Sequence, residues 1–123
     1  MYLSPISFIS EDIPMSGIGT YDVGTTEGDC DFIPTQIIFI CTDSNSVLGA
    51  VTASVGTNSS SYNNINPATA LVGLLSGKQI PITINQITDI FGPSSHIKCK
   101  VSIGLTLGTG TIKAVVSGYN VFS

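Results

Sequence analysis

One histidine, three cysteines and eight carboxylates are the side chains of this 123-residue sequence best suited to proton transfer or metal binding. His96 opens an apolar-alternating stretch. As a general base it would need a nucleophile and an orienting acid within reach. The serines stand in no strand-turn-helix signature of the form G-x-S-x-G. Glycoside hydrolysis would need two carboxylates across one cleft. The acids instead cluster in Glu11–Asp12 and in Asp22–Asp31, both rich in turn residues. The expectation is therefore no enzyme, with no catalytic residues and no cofactor.

Metal binding fares little better. Asp22, Glu27, Asp29 and Asp31 could offer hard oxygen ligands to calcium, but their spacing does not match the EF-hand loop. Zinc would need His96 and Cys99 together, and on one strand these point to opposite faces. No metal site is expected, and a solvated acidic turn explains the cluster. Cys30, between Asp29 and Asp31, reads as an unreactive thiol, because neighbouring carboxylates disfavour the thiolate. Cys41 and Cys99 fall in apolar strand patterns as small hydrophobes, so no disulfide framework is expected.

The elements that must position these residues are strands. Period-two alternation recurs, whereas no segment sustains a helical period. From Ile97 to Leu107 the odd positions are all apolar (Ile97, Cys99, Val101, Ile103, Leu105, Leu107). The even positions are Lys98, Lys100, Ser102, Gly104 and Thr106. Gly108-Thr109-Gly110 reads as a tight turn returning the chain along Ile112–Val121, which sets Leu107 against Ile112, Leu105 against Ala114 and Ile103 against Val116. Gln79–Gln86 alternates with Ile80, Ile82 and Ile84 inward. Pro81 makes it an edge strand or a bulged one. Val51, Ala53 and Val55 mark another strand, joined to Thr35–Thr42 by a turn around Asp43–Ser46. Thr35–Thr42 is apolar on both faces, so it is either covered on both sides or open to a subunit interface. Ile6–Ser10, Ile18–Val23 and Ala70–Leu75 are weaker candidates. About eight short strands in one domain, residues 1–123, predict an all-β antiparallel β-sandwich of jelly-roll type. Residues 1–13 could instead form an arm reaching a neighbour.

Composition points to a covered surface. Hydrophobic residues make up 42% and charged ones only 10%, against roughly 25% charged in an average soluble domain. Few charges remain to keep neighbours apart, which suits a subunit of an assembly. The net charge is −4, and the four cations are all lysines, so nucleic-acid binding is not expected. The longest apolar run, Ile37–Cys41, is far too short to span a bilayer. Met1–Ser10 lacks a basic start and a long apolar core, so no secretory signal is expected and synthesis in a cytosol is. The Asn58-Ser59-Ser60 sequon then carries no weight.

Two binding surfaces suggest themselves. In the hairpin register above, Lys98, Lys100, Lys113, Val115, Tyr119 and Val121 share one outer face, a patch for docking on a partner. The Thr57–Pro67 loop, with Asn58, Tyr62, Asn63 and Asn64, has the adaptable amides and rigid aromatic of a binding loop. It fits a glycan or a receptor, or else simply caps its own turns.

A family resemblance adds to this. Val55-Gly56-Thr57-Asn58-Ser59-Ser60-Ser61-Tyr62-Asn63-Asn64-Ile65, followed by Ala70–Leu75, resembles small virion proteins of tailed bacteriophages. The Gly118-Tyr119 ending after Gly108-Thr109-Gly110-Thr111, and Tyr21-Asp22-Val23-Gly24, are similar too. The resemblance implies a non-enzymatic β-sandwich virion component; the role expected of it is that of a decoration (cement) protein on the capsid surface, bridging subunits of the major capsid protein. A symmetric homo-oligomer such as a trimer is expected, with neither nucleic acid nor membrane as partner. A receptor- or glycan-binding module of a tail or fibre is the alternative.

Overall fold

The computed structural model describes residues 2–84 and 90–122, and among them the regular elements are all β-strands. In chain order they are β1 (Tyr2–Ile9), β2 (Ile13–Pro14), β3 (Gly19–Thr25), β4 (Asp31–Leu48), β5 (Val51–Gly56), β6 (Asn66–Leu71), β7 (Gln79–Thr83), β8 (His96–Ile103) and β9 (Leu107–Phe122). One sheet has the order β1-β9-β4-β7 with β2 also on β9, and the other the order β3-β8-β5-β6. This is the antiparallel sandwich that the alternation predicts. It has nine strands rather than about eight, because two-residue β2 is too short to leave a periodic signal.

Strands pair with their mirror images along the chain: β1 with β9, β3 with β8, β4 with β7 and β5 with β6. The chain is thus a long doubled ribbon, wound so that β9 also meets β4 and β8 also meets β5. That winding overturns the expected final hairpin. β8 stops at Ile103 in one sheet and β9 starts at Leu107 in the other. Thr109 and Gly110 lie within β9, opposite Asn45 and Ser44 of β4. The expected pairs Leu107–Ile112, Leu105–Ala114 and Ile103–Val116 therefore do not form. Alternation reports which face is buried, and both strands bury one, each from its own sheet. The glycines serve close approach instead. A Cβ on Gly110 would sit 2.5 Å from the Asp43 carbonyl oxygen, and one on Gly104 3.0 Å from that of Ser16.

Three smaller readings also change. Asp43 and Ser44 continue β4 beyond a bulge, paired with Thr111 and Gly110. The connection to β5 is made at Gly49, whose φ of 93° suits a residue without Cβ. β6 covers Asn66–Leu71, sharing only Ala70 and Leu71 with the stretch expected. Residues Tyr2–Ile9 run along β9 of their own chain rather than projecting away from it. Pro81 does mark an edge, since β7 closes its sheet and pairs only with β4. Asn85 and Gln86 lie outside the described residues.

The core lies between the sheets. Phe32, Ile37, Phe39, Ile112 and Val116 meet Val51, Val55, Ile97, Cys99 and Val101, all fully buried. Cys30, Cys41 and Cys99 are free thiols, and all are buried. Burial pushes the Cys99 thiol up to about 12, so it packs as a small hydrophobe.

Candidate binding surfaces

Because β8 and β9 belong to opposite sheets, the expected lysine–tyrosine patch is divided. Lys98 and Lys100 face out from one side of the sandwich. Lys113, Val115, Tyr119 and Val121 face out from the other. Each of these lysines has a partner of its own. Lys98 Nζ lies 2.7 Å from Asp22 Oδ1 on the adjacent strand. That hydrogen bond, with the accompanying charge attraction, lowers the Asp22 pKa and raises that of Lys98. Lys100 Nζ donates to the Ser60 carbonyl oxygen at 2.9 Å, which ties β8 to the Asn/Ser loop. Lys113 Nζ lies 3.2 Å from Asp12 Oδ1 and donates to the Ser10 carbonyl oxygen at 3.5 Å.

What remains together is mostly apolar, broken by one polar row of Ser7, Ser117, Gln36 and Thr83. The outer face of the β1-β9-β4-β7 sheet carries rows that cross several strands. Ile9, Val115, Ile38 and Pro81 form one, Pro5, Tyr119 and Ile33 a second, and Leu3 with Val121 a third. Leu3 is 51% exposed, Ile9 61% and Tyr119 41%. Charge stands at the two ends, where Lys113 adjoins Ile40 and Asp31 adjoins Val121. A depression of about 300 Å³ lies beside Tyr119, floored by Ser7, Ser117 and Gly118. Strand β4, apolar on both faces, is thereby explained. Ile37, Phe39 and Cys41 fill the core, while Ile38 and Ile40 stay half-buried on the open face. The β1 contribution to this face was not visible in the sequence. Leu3, Pro5 and Ile9 face out while Ile6 and Phe8 face in, so the strand shows no polar alternation.

The opposite sheet turns out Thr20, Asp22 and Thr25 on β3, His96, Lys98, Lys100 and Ser102 on β8, and Thr52 on β5. At one end of it sits the Asn/Ser loop, whose amides mostly fold the loop on itself. Asn58 Oδ1 accepts from the Asn63 and Asn64 backbone N–H groups at 2.9 and 3.2 Å. Asn58 Nδ2 donates to Asn63 Oδ1 at 2.8 Å. Asn64 Oδ1 accepts from the Thr57 N–H at 2.7 Å, and Asn64 Nδ2 donates to Thr57 Oγ1 at 2.9 Å. Tyr62 is not part of this amide network. Its ring lines an open pocket of about 470 Å³ with Ser59, Ser94, Ser95, His96 and Lys98. His96 Nδ1 lies 3.1 Å from the Thr25 hydroxyl, a group that cannot orient a base as a carboxylate would.

At the acidic turn, ligand atoms of Glu27, Asp29 and Cys30 fall within 4.8 Å of one another. Burial, reinforced by Glu27, Asp29 and Asp31, raises the Cys30 pKa. That shift disfavours the reactive thiolate. Among the described residues two exposed carboxylates meet there, against the six to eight oxygens calcium takes, and Asp22 is engaged with Lys98. His96 and Cys99 do point to opposite faces, one exposed and one buried.

No protein-family model and no curated protein matches the chain. Solved structures share its fold. A chain of the cyanophage Pam1 capsid asymmetric unit is similar at a TM-score of 0.64 and 14% identity, over 95% of this chain and 85% of that one. A chain of the Ralstonia phage GP4 capsid is similar at 0.63 and 18%, over 99% and 86%. One from the acid-stable capsid of Helicobacter pylori bacteriophage KHP30 reaches 0.50 at 10% identity, over 99% and 95%. The likeness is one of fold. The chain has a β-sandwich found in phage capsid structures, as its resemblance to small phage virion proteins implied.

Proposed function

We propose that this protein is a non-enzymatic structural component of a tailed-phage virion. In this reading it is a capsid decoration (cement) protein with a jelly-roll-like winding, docking on the major capsid protein through the outer face of β1, β9, β4 and β7. One observation carries the reading. That face presents rows of apolar side chains across the sheet, while Lys98, Lys100 and Lys113 are engaged elsewhere or at its margin. The similar capsid chains support it, being covered over 85% and 86% of their own length and so only slightly larger than this one.

The size of the face bears on oligomerisation. Three strands of eight or more residues and a five-residue edge strand, about 4.8 Å apart and at about 3.4 Å per residue, give a flat area on the order of 500 Å². A stable interface uses roughly 800 Å² per partner. A single face falls short of that. A symmetric oligomer such as a trimer, contacting several capsid subunits at once, would supply the missing affinity through effective concentration. Stabilisation of the head is then additive: every apolar contact bridging two subunits must be broken before they separate.

Purified protein added to particles assembled without it tests this reading. Saturable binding of many evenly distributed copies is expected, with a rise in the temperature at which heads open. A few copies at the tail vertex, or none on the head, would contradict it.

A further inference from the structure

The pocket beside Tyr62 lies on the sheet turned away from the proposed docking face, and its construction is unlike the rest of the surface. Tyr62 and Ser94, with φ of 44° and 57°, are the two described non-glycine residues of positive φ. They come from different loops, yet both line this pocket. Such conformations are held only where the surroundings over-determine them, and they cluster at ligand sites. The surroundings here are explicit. The Asn58, Asn63 and Asn64 amides brace the loop, and the Tyr62 N–H donates to the Asn58 carbonyl oxygen at 2.7 Å. Lys100 pins Ser60 from β8, and the Ser94 N–H donates to the Glu27 carbonyl oxygen at 3.2 Å.

The groups facing the cavity define its chemistry. The Ser59 and Ser94 hydroxyls make no intramolecular hydrogen bond among the described residues, and each can both donate and accept. His96 has a second ring nitrogen besides the one near Thr25. Lys98 has two further protons beyond the one given to Asp22. Tyr62 adds an aromatic ring, apolar on its face and polar at its tip. The pocket's one permanent cation is already matched by a carboxylate, in a chain of net charge −4. Attraction for an anion is therefore weak. A volume of about 470 Å³ is in the range of small-ligand clefts, roughly 300–1,000 Å³. Neutral hydroxyls in several directions and an apolar face for the ring describe a sugar.

We propose that this pocket binds a neutral saccharide of one or two rings, with Tyr62 stacking on a sugar face and Ser59, Ser94, His96 and Lys98 bonding its hydroxyls. With β1, β9, β4 and β7 against a shell, the pocket would face outward, towards the polysaccharide of a cell surface. Sugar binding is a property of the isolated chain, so it stands or falls separately from attachment to capsids.

The test is an amide NMR titration of the isolated protein with glucose, galactose, mannose, rhamnose and N-acetylglucosamine. Each is raised to about 50 mM, enough to reveal a millimolar Kd. Inorganic phosphate and sulfate are titrated in parallel. At least one sugar should shift amides of residues 57–62 and 94–98 saturably. Its Kd should rise tenfold or more in Tyr62→Ala and in His96→Ala. The second variant alters only an exposed side chain and guards against a collapsed loop in the first. No saturable shift with any sugar, shifts mapping elsewhere, binding indifferent to both substitutions, or a response to phosphate or sulfate alone would each overturn the proposal.

Discussion

Along β9 the outward positions 113, 115, 117, 119 and 121 read Lys, Val, Ser, Tyr and Val, whereas along β8 positions 96, 98, 100 and 102 read His, Lys, Lys and Ser. Both strands bury an apolar alternate set in the same core, so their inner faces are nearly interchangeable. Their outer faces are not. On the β8 side each cation is answered within the molecule, Lys98 by Asp22 and Lys100 by the Ser60 carbonyl. On the β9 side, half-exposed Ile9, Ile38, Val115 and Tyr119 remain in contact with water, and covering them would release about 25 cal/mol per Å². Charge close to a strand thus says little about where a protein docks. The face whose apolar side chains stay uncovered is the one that gains from a neighbour.

A glutamate placed on each face should separate them most widely. Ile38→Glu buries an unpaired charge under a docked partner, at a cost of several kcal/mol. Occupancy on particles should fall by at least about a hundredfold, with folding stability altered by about 1 kcal/mol or less because the site is half-exposed. Thr52→Glu on the opposite sheet should leave occupancy unchanged. Equal losses from both, measured as bound copies per particle alongside thermal melts, would erase the distinction between the faces.

Gly118→Ala acts beneath the same face but on folding. An added Cβ would run into the Ile33 carbonyl oxygen and the Phe32 ring. We expect a loss of about 2 kcal/mol in urea unfolding, typical of overpacking, and normal docking of the folded fraction.

Between free copies the effect should be smaller. If the β1-β9-β4-β7 face also joins copies, sedimentation at micromolar concentration should show self-association. Tyr119→Ala should weaken it about tenfold, or about 1.4 kcal/mol. A wild-type protein that is strictly monomeric would confine the face to capsid contacts.

Much of the inner architecture was legible beforehand. Ile97–Val101 and Ile112–Val116 alternate as expected, Pro81 marks an edge, and Cys41 and Cys99 pack as buried small hydrophobes. Partnership was not legible, and the reason is physical. Two sheets facing one core impose the same inward alternation, so nothing local distinguishes a hairpin of β8 and β9 from a crossing between sheets. Gly108-Thr109-Gly110 looked like a turn because close backbone approach and tight turning select the same residue. The error carried into the candidate site. A hairpin would join Lys98 and Lys100 to Lys113, Val115 and Tyr119, whereas their neighbours Asp22 and Thr20 come from a strand far away in sequence.

The smallest effect belongs to that ion pair. Lys98 holds the Asp22 pKa below its ordinary value. Its stabilisation is therefore fully present above the unfolded carboxylate range and is lost as pH falls through the lowered folded value. Both side chains are substantially exposed, so the effect on the melting temperature should be slight and confined to below about pH 4. Asp22→Asn should flatten that acid limb. An unchanged limb would mean that the pair contributes nothing in solution.

Docking through β1, β9, β4 and β7 is tested most directly by a cryo-EM reconstruction of particles carrying the protein, at a resolution that orients the sandwich. The expected map shows Ile9, Ile38, Val115 and Tyr119 against the shell and the Tyr62 pocket open to solvent. A map with His96, Lys98 and Lys100 against the shell, and the β9 face bare, would contradict it.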